Sequence, residues 1–279
     1  MDYINLGGHS GCKILLCEED SGNIFVRKIS KNHDYNSRLE KQYKKQRDWN
    51  LPIRAPKIFS SGITNDGLFY FDMEYIHGIT LAKYMTSIEA VRINGIAEKL
   101  LDYILTVKKQ NLDKKGNSSA FINKIDALEK SINFTGEYNK CFKMLNSFNW
   151  DTITESCAHG DLTTENIIIK NNEMYFIDFL DSFYDSWIMD MGTIFQDIII
   201  MWAYRNNNFD SNLSIKLLAL KNDLLNGLNR ANLNYETEIY YTLLLKLLRM
   251  IPYSVNTRET EFLNQSINLI INRIERKTI

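Results

Sequence analysis

The residues with chemical potential in this chain cluster in one short stretch. His159, Gly160, Asp161 and Asn166 lie in "AHGDLTTEN", between Cys157 and the apolar run "IIIK", and Asp178 and Asp181 follow in "FIDFLDS". A turn between apolar runs needs only turn formers, so this density of carboxylate and amide groups implies a further use. Asp161 and Asn166 are five residues apart across a tight loop, and Asp178 ends the next apolar run, so a hairpin can present all three on one rim. Two carboxylates and an amide are hard oxygen donors. They make a poor zinc set but a good partial shell for Mg²⁺, which keeps waters and takes phosphate oxygens as its remaining ligands. Such a rim suits a magnesium-bound nucleotide. Phosphoryl transfer then requires that the metal be held, the phosphates clamped and the attacking hydroxyl aimed by a carboxylate.

The elements that must position these groups can be read from periodicity. "KILLC" and "IFVRKIS", joined by the turn "EEDSGN", predict a β-hairpin over 13–30. Tyr35, Leu39 and Tyr43 at four-residue spacing predict an amphipathic helix that runs toward Pro52 and Pro56. "PKIFSSG" and "GLFYFDMEYIHG" predict further strand, with Gly78 ending it. Beyond Gly78 the chain turns helical, opening with a capping box from Thr86 to Glu89. The exception is a short hairpin, "NIIIK" and "EMYFID", turning at Asn171 and Asn172. At 279 residues the chain can form two lobes sharing a cleft.

Composition excludes several classes. A formal charge of −1 with 24% charged residues gives no general affinity for nucleic acid or acidic lipid. Cys12, Cys17, Cys141 and Cys157 form no C-x-x-C pair and predict free thiols in a reducing cytosol. The N-terminus carries no basic and apolar leader pattern, and no apolar run reaches twenty positions, so a cytoplasmic protein without membrane insertion is expected.

The His-Gly-Asp-x4-Asn run with its downstream Ile-Asp-Phe resembles the catalytic and metal-binding loops of the protein-kinase-like superfamily, in its aminoglycoside phosphotransferase and choline kinase branch. The resemblance implies an α+β fold of two lobes: residues 1–73 as a small β-rich nucleotide-binding lobe with one helix, 74–78 as linker, and 79–279 as a helical lobe with the catalytic loop and acceptor site. It implies ATP and Mg²⁺ as cofactors. Asp161 would be the catalytic base, Asn166 and Asp178 the metal ligands, and His159 a support for the loop. Asp181 is a candidate accessory group on the rim, and Asp190 matches an Asp that anchors the loop backbone.

For the nucleotide, "LGGHSGCKILL" is not a Walker A loop, since no Gly precedes Lys13 and no Ser or Thr follows it. It resembles the glycine flap that covers ATP phosphates, with Gly7, Gly8, Ser10 and Gly11 as its contributors. Of the adjacent Arg27 and Lys28, strand alternation turns one inward. Lys28 is expected there with Val26 on its face, and Arg27 in solvent. The position where relatives carry a Glu partner for this lysine falls on Gln42, while Glu40 lies two residues earlier, so either residue could orient it. Glu74, Tyr75 and Ile76 resemble the linker that offers backbone groups to the nucleobase, although an edge strand reads the same way.

The acceptor is expected to be a small-molecule hydroxyl. Only eleven residues separate Asp178 from Asp190, Leu180 stands where a protein kinase has Gly, and no Ala-Pro-Glu follows, which leaves no room for a peptide-docking loop. From Phe179 onward the chain has 11 acidic and 10 basic side chains, not the acidic field that a polycationic aminoglycoside calls for. Aromatic residues such as Phe183, Tyr184, Trp187 and Tyr241 could box a quaternary amine or simply form core, and Arg249 and Arg258 could grip an anion or coat a solvated helix. "DMGTIFQD" resembles phosphotransferases of bacterial surface polysaccharide synthesis, which points to a sugar, polyol or amino alcohol. Three rival readings stand beside this one: an aminoglycoside O-phosphotransferase, a non-catalytic nucleotide-binding pseudokinase, and a structural helical protein.

Overall fold

The computed structural model describes residues 2–6, 11–110, 116–132, 138–206 and 210–278. Its contacts divide into two compact units, Met1–Leu81 with Asn166–Asp181, and Ala82–Glu165 with Ser182–Ile279. The hairpin after the 159–166 loop thus packs with the N-terminal strands, whereas the sequence boundary at 74–78 assigned it to the helical part.

The first unit is built on a five-stranded antiparallel sheet. Its strands are β1 (Asp2–Asn5), β2 (Lys13–Glu18), β3 (Ile24–Ile29), β4 (Ile58–Ile63) and β5 (Phe69–Glu74), in the order β1-β2-β3-β5-β4. Helix α1 (Asn36–Arg47) lies against this sheet. Leu39 of the helix joins Cys12, Val26, Phe69, Phe71 and Met73 in one core, and Tyr43 packs edge-on to Phe69 at 5.7 Å. Complete burial of Leu39 and Phe71 stabilises the layer by about 1.5–3 kcal/mol each. A second, three-stranded sheet contains β6 (Ile79–Thr80), β7 (Ile167–Lys170) and β8 (Glu173–Phe176) in sequential order. Its β7–β8 turn has Asn171 at φ 51° and Asn172 at φ 64°, the pair of positive angles that a type I′ turn needs. The two sheets are joined within the unit by the Phe176 N–H donating to the Arg54 carbonyl at 2.8 Å, and by Trp49 against Phe179 at 4.9 Å.

The second unit is helical: α2 (Leu81–Ser87), α3 (Ile93–Gln110), α4 (Ser118–Ser131), α5 (Asn139–Ser147), α6 (Trp187–Phe195), α7 (Ser211–Arg230), α8 (Glu236–Met250) and α9 (Thr257–Thr278). Helix α3 buries Ile93, Ile96, Ala97, Leu100, Ile104 and Val107, the three-and-four spacing of a single core-facing stripe. It packs on α7, while α8 packs between α6 and α9. At the α6–α8 contact Gly192 is required by proximity: a Cβ there would stand 2.4 Å from Thr242 Oγ1. No helix among the described residues is long and apolar enough to cross a membrane.

Three local expectations need correction. Thr86 and Glu89 do not form a capping box. Thr86 lies in the last turn of α2, where its hydroxyl donates to the Lys83 carbonyl at 2.8 Å, and Glu89 caps the 3-10 turn Ala90–Arg92 with no side-chain bond. Strand β5 ends at Glu74 rather than at Gly78. Arg27 is not simply solvated: its guanidinium makes a bidentate pair with Asp72 at 2.7 and 2.8 Å.

Replacing Gly192 with Ala should overpack the α6–α8 contact and cost about 1–3 kcal/mol. Thermal unfolding should show a lower Tm, part of which is recovered in Gly192→Ala/Thr242→Ala, because the clash is with the threonine hydroxyl.

Candidate active site

Within the first unit the buried end of β3 supplies a lysine. Val26 and Lys28 both point inward, and Lys28 is only 3% exposed. An ammonium so deeply buried must be paired. Its Nζ donates to Gln42 Oε1 at 3.0 Å and to Asp178 Oδ1 at 2.5 Å. Gln42 is held in turn by donating to the Tyr35 hydroxyl at 3.1 Å. Of the two residues left open by the sequence, Gln42 is therefore the one that meets Lys28. Glu40 points elsewhere and pairs with Lys44 at 2.8 Å.

Asp178 follows β8 with φ 61°, a left-handed conformation that costs a non-glycine residue on the order of 1 kcal/mol. Its carboxylate is 41% exposed, so one side faces Lys28 and the other is accessible. The Ile177 N–H donates to the Asn166 carbonyl at 3.0 Å, which brings Asn166 beside the residue preceding Asp178. The hairpin thus brings together the two predicted metal ligands and the predicted phosphate lysine. Asp181 is drawn instead toward α1: Lys41 approaches its carboxylate at 3.6 Å and Arg38 donates to its carbonyl at 3.3 Å.

Among the other nucleotide candidates, Gly11 takes φ 75°, a conformation suited to glycine, whereas Gly7, Gly8 and Ser10 lie outside the described residues. Glu74 closes β5 with its backbone N–H bound to the Lys57 carbonyl at 2.8 Å, so that donor is already used inside the sheet. Tyr75 is half-buried and Ile76 buried just beyond the strand.

The second unit holds the loop that carries Asp161. The fully buried Asp190, on α6, accepts from the His159 N–H at 2.6 Å, the Gly160 N–H at 2.9 Å and the Tyr103 hydroxyl at 2.8 Å. Gly160 has φ 95°, so a side chain at this turn would be strained. His159, wholly buried, accepts the Asp161 N–H on Nδ1 at 3.2 Å, which ties its ring to the backbone two residues on. A second buried carboxylate, Asp197, fixes the far end of the loop. It accepts from the Thr164 N–H and hydroxyl, both at 2.7 Å, and from the Ala203 N–H at 3.1 Å.

Asp161 itself receives Lys246 of α8, whose Nζ lies 2.5 Å from Oδ1. Burial alone would raise the Asp161 carboxyl, but Lys246, aided by His159 and then Arg249, outweighs it and holds the group below its ordinary range. Sequence reasoning missed Lys246. Its signal was a single lysine set in the leucine run "TLLLKLLRM", a position that the apolar pattern assigns to the buried side. Asp197 and Tyr103 were also missed, because a buried anchor contributes no motif of its own.

The fold can now be compared with solved structures. A thermostable mutant of aminoglycoside phosphotransferase APH(4)-Ia, in a ternary complex with ADP and hygromycin B, superposes with a TM-score of 0.68 at 10% identity, over 97% of this chain and 93% of that one. The chain has the fold of the aminoglycoside phosphotransferases. Amicoumacin kinase hAmiN, in complex with AMP-PNP, Ca²⁺ and Ami, shares the phosphotransferase fold with a TM-score of 0.64 at 14% identity, over 99% and 88% of the two chains. The streptomycin-ATP-APH(2")-IIa ternary complex gives 0.58 at 15%, over 98% and 91%. No protein-family model and no curated protein matches the chain. The α+β class inferred from the loops is therefore the observed one, a small sheet-based unit and a helical unit in the phosphotransferase fold.

Asp197 provides a test of how the loop is anchored. Burial pushes its carboxyl up to about 6, against the three donors that lower it. A folded pKa raised above the unfolded value of about 3.9 means that protonation favours the fold. The resulting stability is complete below the ordinary carboxylate range and is lost as pH rises through about 6. In chemical denaturation, the stability advantage of the unaltered chain over Asp197→Ala should shrink by about 2 kcal/mol between pH 4.5 and 7.5.

Proposed function

We propose that this protein is a kinase that transfers the γ-phosphoryl group of ATP to a hydroxyl of a small molecule, with Mg²⁺ as the required cation. The observation that carries this reading is Lys28. A strand-end lysine with no task would extend into water, yet this one is buried and held between Gln42 and a carboxylate that keeps an accessible face. A polyphosphate needs such a fixed cation, and the adjoining oxygens of Asn166 and Asp178 suit a hard metal.

The residues fit a metal–nucleotide better than a metal alone. Among the described residues no group of three or more His, Cys, Asp or Glu side chains could hold an ion by itself. Asn166 and Asp178 would supply two ligands, and phosphate oxygens and water the remainder. When bound, Mg-ATP supplies the electrophilic phosphoryl group. Lys28 would clamp the α and β phosphates. Gly11, with Gly7, Gly8 and Ser10, would cover them with backbone amides, and Tyr75 and Ile76 would border the base. Asp161, kept ionised by Lys246, would orient the acceptor hydroxyl and take its proton as the bond to phosphorus forms. His159 and Asp190 would hold the loop without touching substrate.

The solved relatives support acceptors of drug size, since hygromycin B, Ami and streptomycin are the compounds bound in those complexes. Within that class a sugar, polyol or amino alcohol is the acceptor we favour. A role in surface polysaccharide synthesis rests on the resemblance of "DMGTIFQD" alone, and Asp190, Gly192 and Asp197 of that run serve loop anchoring and helix packing. In place of the expected division at 74–78, residues 1–81 with the 166–181 hairpin would form the nucleotide-binding part and the helical remainder the acceptor part.

Replacing Asp161 with Asn should lower kcat by about 10²–10⁴-fold while leaving the Mg-ATP-induced rise in Tm nearly intact. Asp178→Ala should abolish the Mg²⁺ dependence of that rise. ADP release across a hydroxyl-acceptor panel, read beside thermal shifts, checks both. Nucleotide binding without turnover of any acceptor would favour the pseudokinase, and an absent shift the structural protein.

A further inference from the structure

Resting on the kinase reading just given, we infer that Gln42 is a positioning residue that couples metal binding to nucleotide binding. By meeting Lys28 with a neutral amide, it leaves Asp178 as the counter-ion of that lysine whenever the protein holds no ligand. Lys28 Nζ stands 3.0 Å from Gln42 Oε1 and 2.5 Å from Asp178 Oδ1. An ammonium has donors only, so it must face the amide oxygen. Gln42 Nε2 then donates to the Tyr35 hydroxyl at 3.1 Å, which locks the buried amide in that sense. The other acids of this unit that lie nearby in the fold are engaged elsewhere: Glu40 pairs with Lys44 at 2.8 Å, Asp72 with Arg27 at 2.7 Å, and Asp181 lies 3.6 Å from Lys41. Among the described residues Lys28 therefore pairs with one carboxylate, and that carboxylate is a proposed metal ligand.

The charges then depend on one another. If Asp178 turned to a cation alone, Lys28 would be left buried against an amide, beside a further positive charge. If Lys28 turned to a polyphosphate alone, the Asp178 carboxylate would stand unbalanced against an anion. When both ligands arrive, the phosphates balance Lys28 and the metal balances Asp178, so neither penalty remains. Each ligand raises the affinity for the other by the same factor. A glutamate at position 42 would remove the first penalty, because Lys28 would keep a counter-ion after the metal arrives. The site accepts the shape of one: a carboxylate is nearly isosteric with the amide, and the Tyr35 hydroxyl donates to an oxygen as readily as it accepts from an N–H. The contribution of Gln42 is thus one of charge rather than of fit.

The test measures binding by the full chain rather than turnover. Mn²⁺, a hard-oxygen stand-in for Mg²⁺, is titrated without nucleotide and followed by the paramagnetic resonance of the free ion, counting only the binding that an added Asp178→Ala removes. AMP-PNP affinity is measured by calorimetry in EDTA and in saturating Mg²⁺, and the ratio of the two is the coupling. Gln42→Glu should tighten Mn²⁺ binding by about 10–100-fold, the worth of a hydrogen-bonded charge, and lower the coupling by a comparable factor. Lys28→Met should tighten Mn²⁺ binding too, since it releases the carboxylate from its ammonium. Gln42→Met removes the acceptor without adding charge and should not. A purely structural amide would instead give the same weakening in all three. Should Gln42→Glu fail to fold, Lys28→Met decides alone. Failure of either folded variant to tighten Mn²⁺, or a coupling that a folded Gln42→Glu leaves unmoved, overturns the inference, and the kinase reading stands if Mg-AMP-PNP still raises Tm. Absence of AMP-PNP binding under every condition overturns both.

Discussion

The candidate chemistry depends first on one buried carboxylate. Asp190 receives two consecutive backbone N–H groups and a tyrosine hydroxyl, all from 2.6 to 2.9 Å. A loop turning at Gly160 with a positive φ exposes backbone donors that no helix or sheet can satisfy, and leaving them unpaired in the interior would cost about 1–3 kcal/mol each. Supplying an acceptor from α6 resolves that cost and simultaneously fixes where Asp161 stands. Asp197 repeats the solution seven residues on, at Thr164. The loop is consequently defined at both ends by buried carboxylates.

The first unit handles its charge differently. Gln42 stands where an acidic partner for Lys28 is expected, so the lysine's only ionic partner in the described residues is Asp178. An amide can accept a hydrogen bond and set direction, but it cannot balance a buried charge. The short contact to Asp178 and the positive φ of that residue are two aspects of one arrangement, in which the backbone is bent to bring a carboxylate to the ammonium. This explains how the glutamine is tolerated without an indel that would move Glu40 into register.

Much of this was legible because local chemistry and tertiary role coincide. The β2–β3 hairpin, the Asn171–Asn172 turn, α1 and the inward face of Lys28 all follow from alternation and turn preference, and packing did not override them. Strand β1 was not read: "DYIN" is four residues long, forms a sheet edge and leaves Tyr3 and Ile4 exposed, so it carries no alternation. Thr86 was misread because a capping signature does not distinguish the end of one short helix from the start of the next. Lys246 escaped because a charge within a leucine run is assigned to water by default, and only the position of Asp161 reveals its partner.

The two acidic side chains at the centre of the proposed chemistry share a further property. Each is docked on a lysine at 2.5 Å, Asp178 on Lys28 and Asp161 on Lys246, with both lysines largely out of water. On the kinase reading, ligand capture would be an exchange of ionic partners rather than the burial of unbalanced charge. Bulk electrolyte screens pairs with a buried partner less than it screens surface charge, so these two contacts should weaken less with added salt than an exposed pair such as Glu40–Lys44.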